Sequence, residues 1–165
     1  MEKFGSSLGC FVSPDEQWTT ICPLGTVKKS HLSYRKIQVL VDSGAAANVI
    51  PSGLLEDYDV IEGEAKRNGT VHMSADGGEI PNMGEQKVLF KTFEGVDGQV
   101  DFQVADVQRP LLSVTSMTGK GSRVEFDDHG GHIVSSDGKR RIRFHRRGGV
   151  YVLDLWVPPF QRQGQ

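Results

Sequence analysis

Glycine and proline divide this chain into short apolar runs, and that division restricts its fold strongly. The 165 residues include 20 glycines and 7 prolines. Turns such as Asp76-Gly77-Gly78 and Ser136-Asp137-Gly138 separate runs that have the length and composition of strands. The predicted strands are 34–41, 57–61, 86–92, 99–107, 123–126, 132–135, 140–145 and 150–157. With one short helix predicted over 115–120, we expect an all-β fold.

Length and charge predict the domain organisation and exclude one class of function. A chain of 165 residues suits one domain with its own core and is short for two. We expect that domain over residues 34–157, after a flexible leader or polyprotein linker over 1–33 and before a polar tail over 158–165. Nineteen Lys and Arg against 21 Asp and Glu give a net charge of −2, which argues against a dedicated nucleic-acid-binding protein.

Cysteine content and hydropathy predict a cytoplasmic protein that has no membrane partner. Cys10 and Cys22 lack CxxC spacing and nearby histidines, so two reduced thiols are favoured over a disulfide or a metal site. No run reaches the roughly 18 consecutive apolar residues that a membrane span needs. The first residues also lack the apolar core of a signal peptide.

A carboxylate directly follows the most apolar predicted strand. Residues 39–41 are typical of a strand buried on both faces, and Asp42-Ser43-Gly44 ends it. A carboxylate in that position is costly unless it is hydrogen-bonded or functional, and Gly44 lets a ligand or another backbone come close. The alternative is a turn aspartate that binds local amides. Ser43 is a poor candidate nucleophile, because no histidine occupies a triad pattern.

Several motifs follow one another in a definite order. The chain carries Val41-Asp42-Ser43-Gly44-Ala45, then Val49-Ile50, then Asp76-Gly77-Gly78 with Ile80 and Gly84, then Arg109-Pro110-Leu111-Leu112-Ser113-Val114, and finally the apolar segment 149–156. In this it resembles a retropepsin-like aspartic protease, in particular the protease domain of a copia-like retrotransposon polyprotein. The resemblance spans residues 34–157. It implies an acid-protease β-barrel with a flap hairpin and one short C-terminal helix, functional as a homodimer.

The resemblance also implies roles for individual residues. The catalytic residue would be Asp42, and its loop would be supported by Ser43, Gly44 and Ala45. The flap would consist of Asp76, Gly77, Gly78 and Ile80. The substrate pocket would be lined by Ala46, Leu111 and Leu112. Hydrolysis of this kind uses two carboxylates about 3 Å apart that share one proton. It needs no metal or cofactor, and we expect it to run best at mildly acidic pH on an extended polypeptide. Because the chain holds a single Asp-Ser/Thr-Gly, Asp42 would have to pair with Asp42 of a second copy.

The sequence departs from the retroviral members of that family at three places. Ala46 stands where many of them carry an acidic residue that contacts substrate, and Ser113 replaces a glycine. No Arg-Asp or Arg-Asn follows to make an inter-subunit ion pair. An alternative function is therefore a retropepsin-like module that dimerises or binds peptide without cutting it.

A third, weaker hypothesis concerns the basic run over 139–147. Six of its nine residues are Lys or Arg, and Ile142 and Phe144 alternate with them. That alternation favours a strand with one buried face and one solvated face over a strand that binds nucleic acid. His72, His129, His132 and His145 are scattered, so packed or solvated histidines are favoured over zinc ligands.

Overall fold

The computed structural model describes residues 33–160, where β-strands dominate. The strands are β1 (Arg35–Asp42), β2 (Val49–Pro51), β3 (Val71–Met73), β4 (Glu79–Pro81), β5 (Gly84–Lys91), β6 (Asp97–Ala105), β7 (Leu111–Ser113), β8 (Arg123–Asp127), β9 (Gly130–Val134), β10 (Arg141–Arg147) and β11 (Val150–Val157). The helices are α1 (Glu64–Arg67) and α2 (Val114–Gly119). In this part of the chain no helix is long and apolar enough to cross a membrane. The predicted all-β class is confirmed, with α2 near the predicted helix and α1 in addition.

Nine of the strands belong to one sheet that closes on itself. Their order is β1-β7-β2-β6-β5-β11-β10-β9-β8, and β1 also pairs with β11. The first six strands therefore form a closed ring, and β10, β9 and β8 extend from β11. The pairs β1–β7 and β2–β6 are parallel, whereas β3 and β4 form a separate antiparallel hairpin. The parallel β1–β7 pair sets the ends of two distant segments side by side.

The interior of the ring is apolar, as strand alternation predicts. On β1, Ile37, Val39 and Val41 are buried, and the residues between them are more exposed. The largest fully buried side chains are Phe102, on β6 of the ring, and Phe144, on β10 of the extension. Burying an apolar side chain of this size contributes about 1.5–3 kcal/mol. The packed core of the closed ring therefore stabilises the strands that carry the loops at its ends.

Residues 57–61 do not form the predicted strand. Ile61 alone pairs, through an isolated bridge to β5. The buried side chain of Gln86 donates from Nε2 to the carbonyl oxygens of Leu55 at 3.1 Å and Tyr58 at 2.9 Å. Because a side chain satisfies these two carbonyls, the segment keeps a turn conformation and needs no neighbouring strand.

The two predicted flanking segments lie mostly outside the described residues, which leave out 1–32 and 161–165. The start of the predicted tail contacts the domain. The hydroxyl of Tyr58 donates to the carbonyl oxygen of Pro158 at 2.8 Å, and the Phe160 ring lies 5.2 Å from the Tyr58 ring. Burial, with a smaller effect of nearby Asp57, raises the pKa of Tyr58 to about 12, which keeps this donor protonated.

Candidate active site

Asp42 lies where β1 leaves the buried interior. The register of the parallel β1–β7 pair sets Asp42 opposite Ser113. Val41 is buried, Asp42 is half-buried and Ser43 is exposed, so the chain passes from core to surface within three residues. The carboxylate therefore stands at the end of a buried strand, where the sequence places it.

The backbone after Asp42 folds back onto the carboxylate. The N–H of Gly44 donates to Asp42 Oδ1 at 2.7 Å. A β-carbon at position 44 would lie 3.3 Å from the same oxygen, so a larger residue would crowd it. A structural turn aspartate and an oriented catalytic carboxylate would both accept this hydrogen bond. What distinguishes them is the surroundings of the carboxylate.

Ser113 ties the loop after β1 to helix α2. It is fully buried at the N-cap of α2, where its Oγ accepts a hydrogen bond from the Ser116 N–H at 3.1 Å. The same hydroxyl donates to the carbonyl oxygen of Ala45 at 2.6 Å. The Ser113 N–H donates to Asn48 Oδ1 at 2.8 Å. One residue of β7 thus holds the loop after β1 at two points.

This role of Ser113 was not predicted from the sequence, where the residue stood only as a departure from the glycine of the retroviral members. A serine directly before a short helix is an N-cap signal, so the capping could have been predicted. The contacts with Ala45 and Asn48 could not, because they cross separations of 68 and 65 residues.

We expect Ser113→Ala to lower the free energy of unfolding by about 1–3 kcal/mol. The alanine removes the helix cap and leaves the partly buried Ala45 carbonyl without this donor. Chemical denaturation measures the loss. The matched control is Thr118→Ala, which removes an exposed hydroxyl that donates to Thr115 of the same helix. We expect that control to lower the free energy of unfolding by less than about 0.5 kcal/mol. Equal losses in the two variants would contradict the role of Ser113 in holding the loop after β1.

A surface cleft of about 390 Å³ opens beside Asp42. Its lining is Leu40, Val41, Asp42, Ser43, Phe126, Gly149, Val150 and Tyr151. The rings of Phe126 and Tyr151 meet edge-on with centroids 4.9 Å apart, and both lie edge-on to buried Phe144. Phe126 is 42% exposed and Val150 is 37% exposed. The cleft thus joins a carboxylate to an apolar wall that faces solvent.

The aromatic wall of this cleft was not predicted from the sequence. Phe126 comes from β8, and Val150 and Tyr151 come from β11, all far along the chain from Asp42. The antiparallel pairing of β11 with β1 brings Val150 and Tyr151 to the carboxylate, and Phe126 reaches it by packing edge-on against the Tyr151 ring. No local sequence signal reports such a pairing, because it joins the first and last strands of the described chain.

The predicted hairpin at Asp76-Gly77-Gly78 is present between β3 and β4. The Ser74 N–H donates to the Gly78 carbonyl oxygen at 2.9 Å, and the Ser74 hydroxyl donates to the Asp76 carboxylate. That hydroxyl, and then the Gly78 N–H, lower the pKa of Asp76. Gly77 has a φ of 86°, a conformation that glycine adopts without strain. The hairpin is confirmed as structure, and its role as a flap stays a prediction.

The other predicted site residues lie outside the lining of the Asp42 cleft. Ile80 pairs with His72 across the β3–β4 hairpin. Ala46 is exposed on the loop after β1, and Leu111 is half-buried on β7. Leu112 is buried and lines a different cavity, of about 280 Å³, beside α2. Of the predicted residues, the cleft therefore brings together Asp42 and Ser43.

Strand β10 carries the basic run over 139–147. Its apolar side chains alternate with exposed basic ones. Arg141 lies 3.3 Å from the carboxylate of Glu125, and Arg147 lies 4.0 Å from that of Asp154. Neighbouring acids thus offset part of the positive charge, which weakens the attraction of this face for phosphate groups.

Comparisons with known proteins do not assign the chain to a family. No family model matches it, and no curated protein matches it at a significant level. Its function has to be argued from Asp42, the loop that follows it and the cleft beside it.

Proposed function

We propose that this protein is a retropepsin-like aspartic endopeptidase that acts as a homodimer. The observation that carries the proposal is the position of Asp42 at the end of buried β1. One of its oxygens accepts a backbone N–H, and an open cleft lies beside it. The ordered sequence motifs support the same assignment. Because they resemble the protease domain of copia-like retrotransposons, the substrate we propose is such a polyprotein.

The proposed reaction needs two carboxylates that share one proton. The ionised carboxylate accepts a proton from water while the water oxygen bonds to the peptide carbonyl carbon, and the other carboxyl protonates the carbonyl oxygen. When the tetrahedral intermediate collapses, the C–N bond breaks and the leaving nitrogen takes the proton that the first carboxylate had accepted from water. A hydroxyl of the intermediate returns a proton to the second carboxylate as the carbonyl forms again. No protein group bonds covalently to the substrate.

A second copy of the chain would supply the missing carboxylate. Asp42 is the one carboxylate in the lining of its cleft. A twofold axis through the cleft would bring Asp42 of the second copy beside it and complete the pair. The hydrogen bonds that Ser113 makes to Ala45 and Asn48 would hold each loop in position for that meeting.

The proposed second copy would bind at the edge of the sheet. Within residues 33–160, β8 pairs with β9 alone, so no strand covers its outer edge. Phe126 of β8 lines the Asp42 cleft, which places this edge beside the carboxylate. Phe126 and Val150 form an exposed apolar surface of the kind that a subunit contact buries.

The substrate that suits such a dimer is an extended polypeptide. An extended chain can add to strand edges through its backbone, while its side chains enter pockets between the subunits. By the same resemblance, the β3–β4 hairpin would close over the bound peptide and exclude water. Apolar side chains beside the scissile bond would suit the apolar lining that Leu40 and Tyr151 give the cleft.

We expect the protein to sediment as a dimer at micromolar concentration, and Phe126→Asp to sediment as a monomer that cuts no peptide. A charge buried in the subunit contact would be left without a partner. The matched control is Phe93→Asp, since Phe93 is 56% exposed and lines a separate cleft with Glu94 and Trp156. We expect this control to stay dimeric. A wild-type protein that is strictly monomeric would contradict the proposal.

The second candidate is a retropepsin-like module that dimerises or binds peptide without cleavage. The single carboxylate of the cleft favours it, because a module that binds peptide without cleaving it needs no second carboxylate. A peptide library at acidic pH, with and without a peptide-mimicking aspartic protease inhibitor, separates the two candidates. Inhibitor-sensitive cleavage supports the enzyme, and binding without cleavage supports the module.

A further inference from the structure

A buried amide joins the base of the β3–β4 hairpin to the large sheet. Asn82, the residue after β4, is 8% exposed. Its Nδ2 donates to Oε1 of Gln103 on β6 at 2.7 Å and lies 3.3 Å from Nε2 of His72 on β3. Its Oδ1 accepts from the Gly84 N–H at 2.9 Å. The amide nitrogen and the amide oxygen of Asn82 therefore both have partners, and these lie on the hairpin and on the large sheet.

The hydrogen bonds continue from β6 to the loop after β1. The backbone N–H of Gln103 donates to the carbonyl oxygen of Asn48 at 2.8 Å. Asn48 Oδ1 accepts from the Ser113 N–H at 2.8 Å, and Ser113 Oγ donates to the Ala45 carbonyl at 2.6 Å. The connection thus runs from the hairpin base to a residue three positions after Asp42.

The protonation state of His72 suits its place in this network. The Asn82 amide can donate to Nε2 only while that nitrogen carries no proton. Burial lowers the pKa of His72, which favours the neutral imidazole, and Nε2 accepts from Asn82 in the tautomer that carries its proton on Nδ1. The hairpin is thereby attached to Asn82 from a second direction, besides the backbone bond from the Asn82 N–H to the Thr70 carbonyl at 3.3 Å.

We propose that Asn82 is a positioning residue that couples the β3–β4 hairpin to the loop after β1. If the hairpin base moves away, it must break the bond to Gln103 or displace β6, and β6 holds Asn48 directly. Because these groups are packed and hydrogen-bonded in series, a shift at one end changes the constraint at the other. The functional role of this coupling rests on the proposed function. In the protease, closure of the β3–β4 hairpin over a peptide and ordering of the Asp42 loop would occur together.

Amide hydrogen exchange on the full-length protein tests the coupling without any substrate. We expect Asn82→Ala to speed exchange about fivefold both in residues 70–81 and in residues 43–48, as loss of one net hydrogen bond predicts. Residues 142–146 of β10 should be unchanged. Faster exchange confined to the hairpin, or no change in either segment, would overturn the proposal.

Variants of Gln103 keep the test decisive if Asn82→Ala fails to fold. Gln103→Leu removes the acceptor of the Asn82 amide, and we expect it to speed exchange in both segments. Gln103→Glu keeps an acceptor oxygen, and we expect it to match the wild type. The control is Gln99→Leu on the same strand, where the lost amide donates to exposed Asp101 at 2.8 Å. Equal effects of the Gln103→Leu and Gln99→Leu variants would refute a specific coupling.

Cleavage kinetics separate this proposal from the proposed function. If the wild type cuts peptides, we expect Asn82→Ala to lower kcat by a larger factor than it raises KM, since the loop is misplaced in the transition state. Coupled exchange in a protein that cuts no peptide would leave the coupling standing and remove the protease. Cleavage in a protein whose two segments exchange independently would support the protease and refute the coupling.

Discussion

We expect Asp42→Asn to reduce peptide cleavage by a factor of about 10²–10⁴ or more while the fold stays intact. An amide can neither take the proton from water nor share one with a partner carboxylate. The fold should survive because the Oδ1 of an asparagine can still accept the Gly44 N–H, and because the side chain is only half-buried. Cleavage rates at mildly acidic pH and thermal unfolding curves measure the two effects.

The control for this experiment is Asp101→Asn on β6. Asp101 is exposed, accepts a hydrogen bond from Gln99 and is no part of the cleft beside Asp42. We expect its cleavage rate and its unfolding temperature to match the wild type. Undiminished cleavage by Asp42→Asn would remove Asp42 from the chemistry and with it the aspartic protease assignment.

Phe144→Ala should cause the largest loss of stability, about 3–5 kcal/mol. The ring is fully buried and packs edge-on against Phe126 at 5.3 Å and Tyr151 at 5.8 Å between centroids. It also lies over Gly131, where an added β-carbon would come within 2.4 Å of it. Its removal leaves a cavity behind the aromatic wall of the Asp42 cleft. Urea denaturation measures the loss, which is a large fraction of the stability of an ordinary domain.

Phe126→Ala is the matched control, because it removes the same side chain from the same cluster. Phe126 is already partly in water, so we expect it to cost about 1 kcal/mol. Its main effect should be on association of the two copies, as measured by sedimentation. If both substitutions cost the same stability, Phe144 is not the packing centre of β8, β9 and β10.

The longer strands and the hairpin were predictable because their causes are local, whereas the three-residue strands β2 and β7 were not predicted. Alternation marks the buried face of β1 at Ile37, Val39 and Val41. The turn at Asp76-Gly77-Gly78 follows from a glycine with positive φ and from side-chain hydrogen bonds within five residues. The prediction failed over 57–61, where a buried glutamine from β5 satisfies the backbone.

The candidate site was predictable in part. A carboxylate after a buried strand identified Asp42, and its position is as expected. Ser113 and Asn48 escaped notice as supports of that loop, because the hydrogen bonds between them depend on which strand lies beside β1. The pocket residues Ala46, Leu111 and Leu112 rest on family resemblance, and the cleft beside Asp42 is lined by other residues.

The sequence by itself determined the all-β class, the hairpin and the carboxylate at the end of β1. These follow from side-chain alternation and turn chemistry, which act between residues a few positions apart. Only the tertiary structure decided that Phe126 and Tyr151 face Asp42 and that Asn82 connects to the loop after β1. The reason is that strand register and ring closure, which join distant segments, are set by the packing of the whole core.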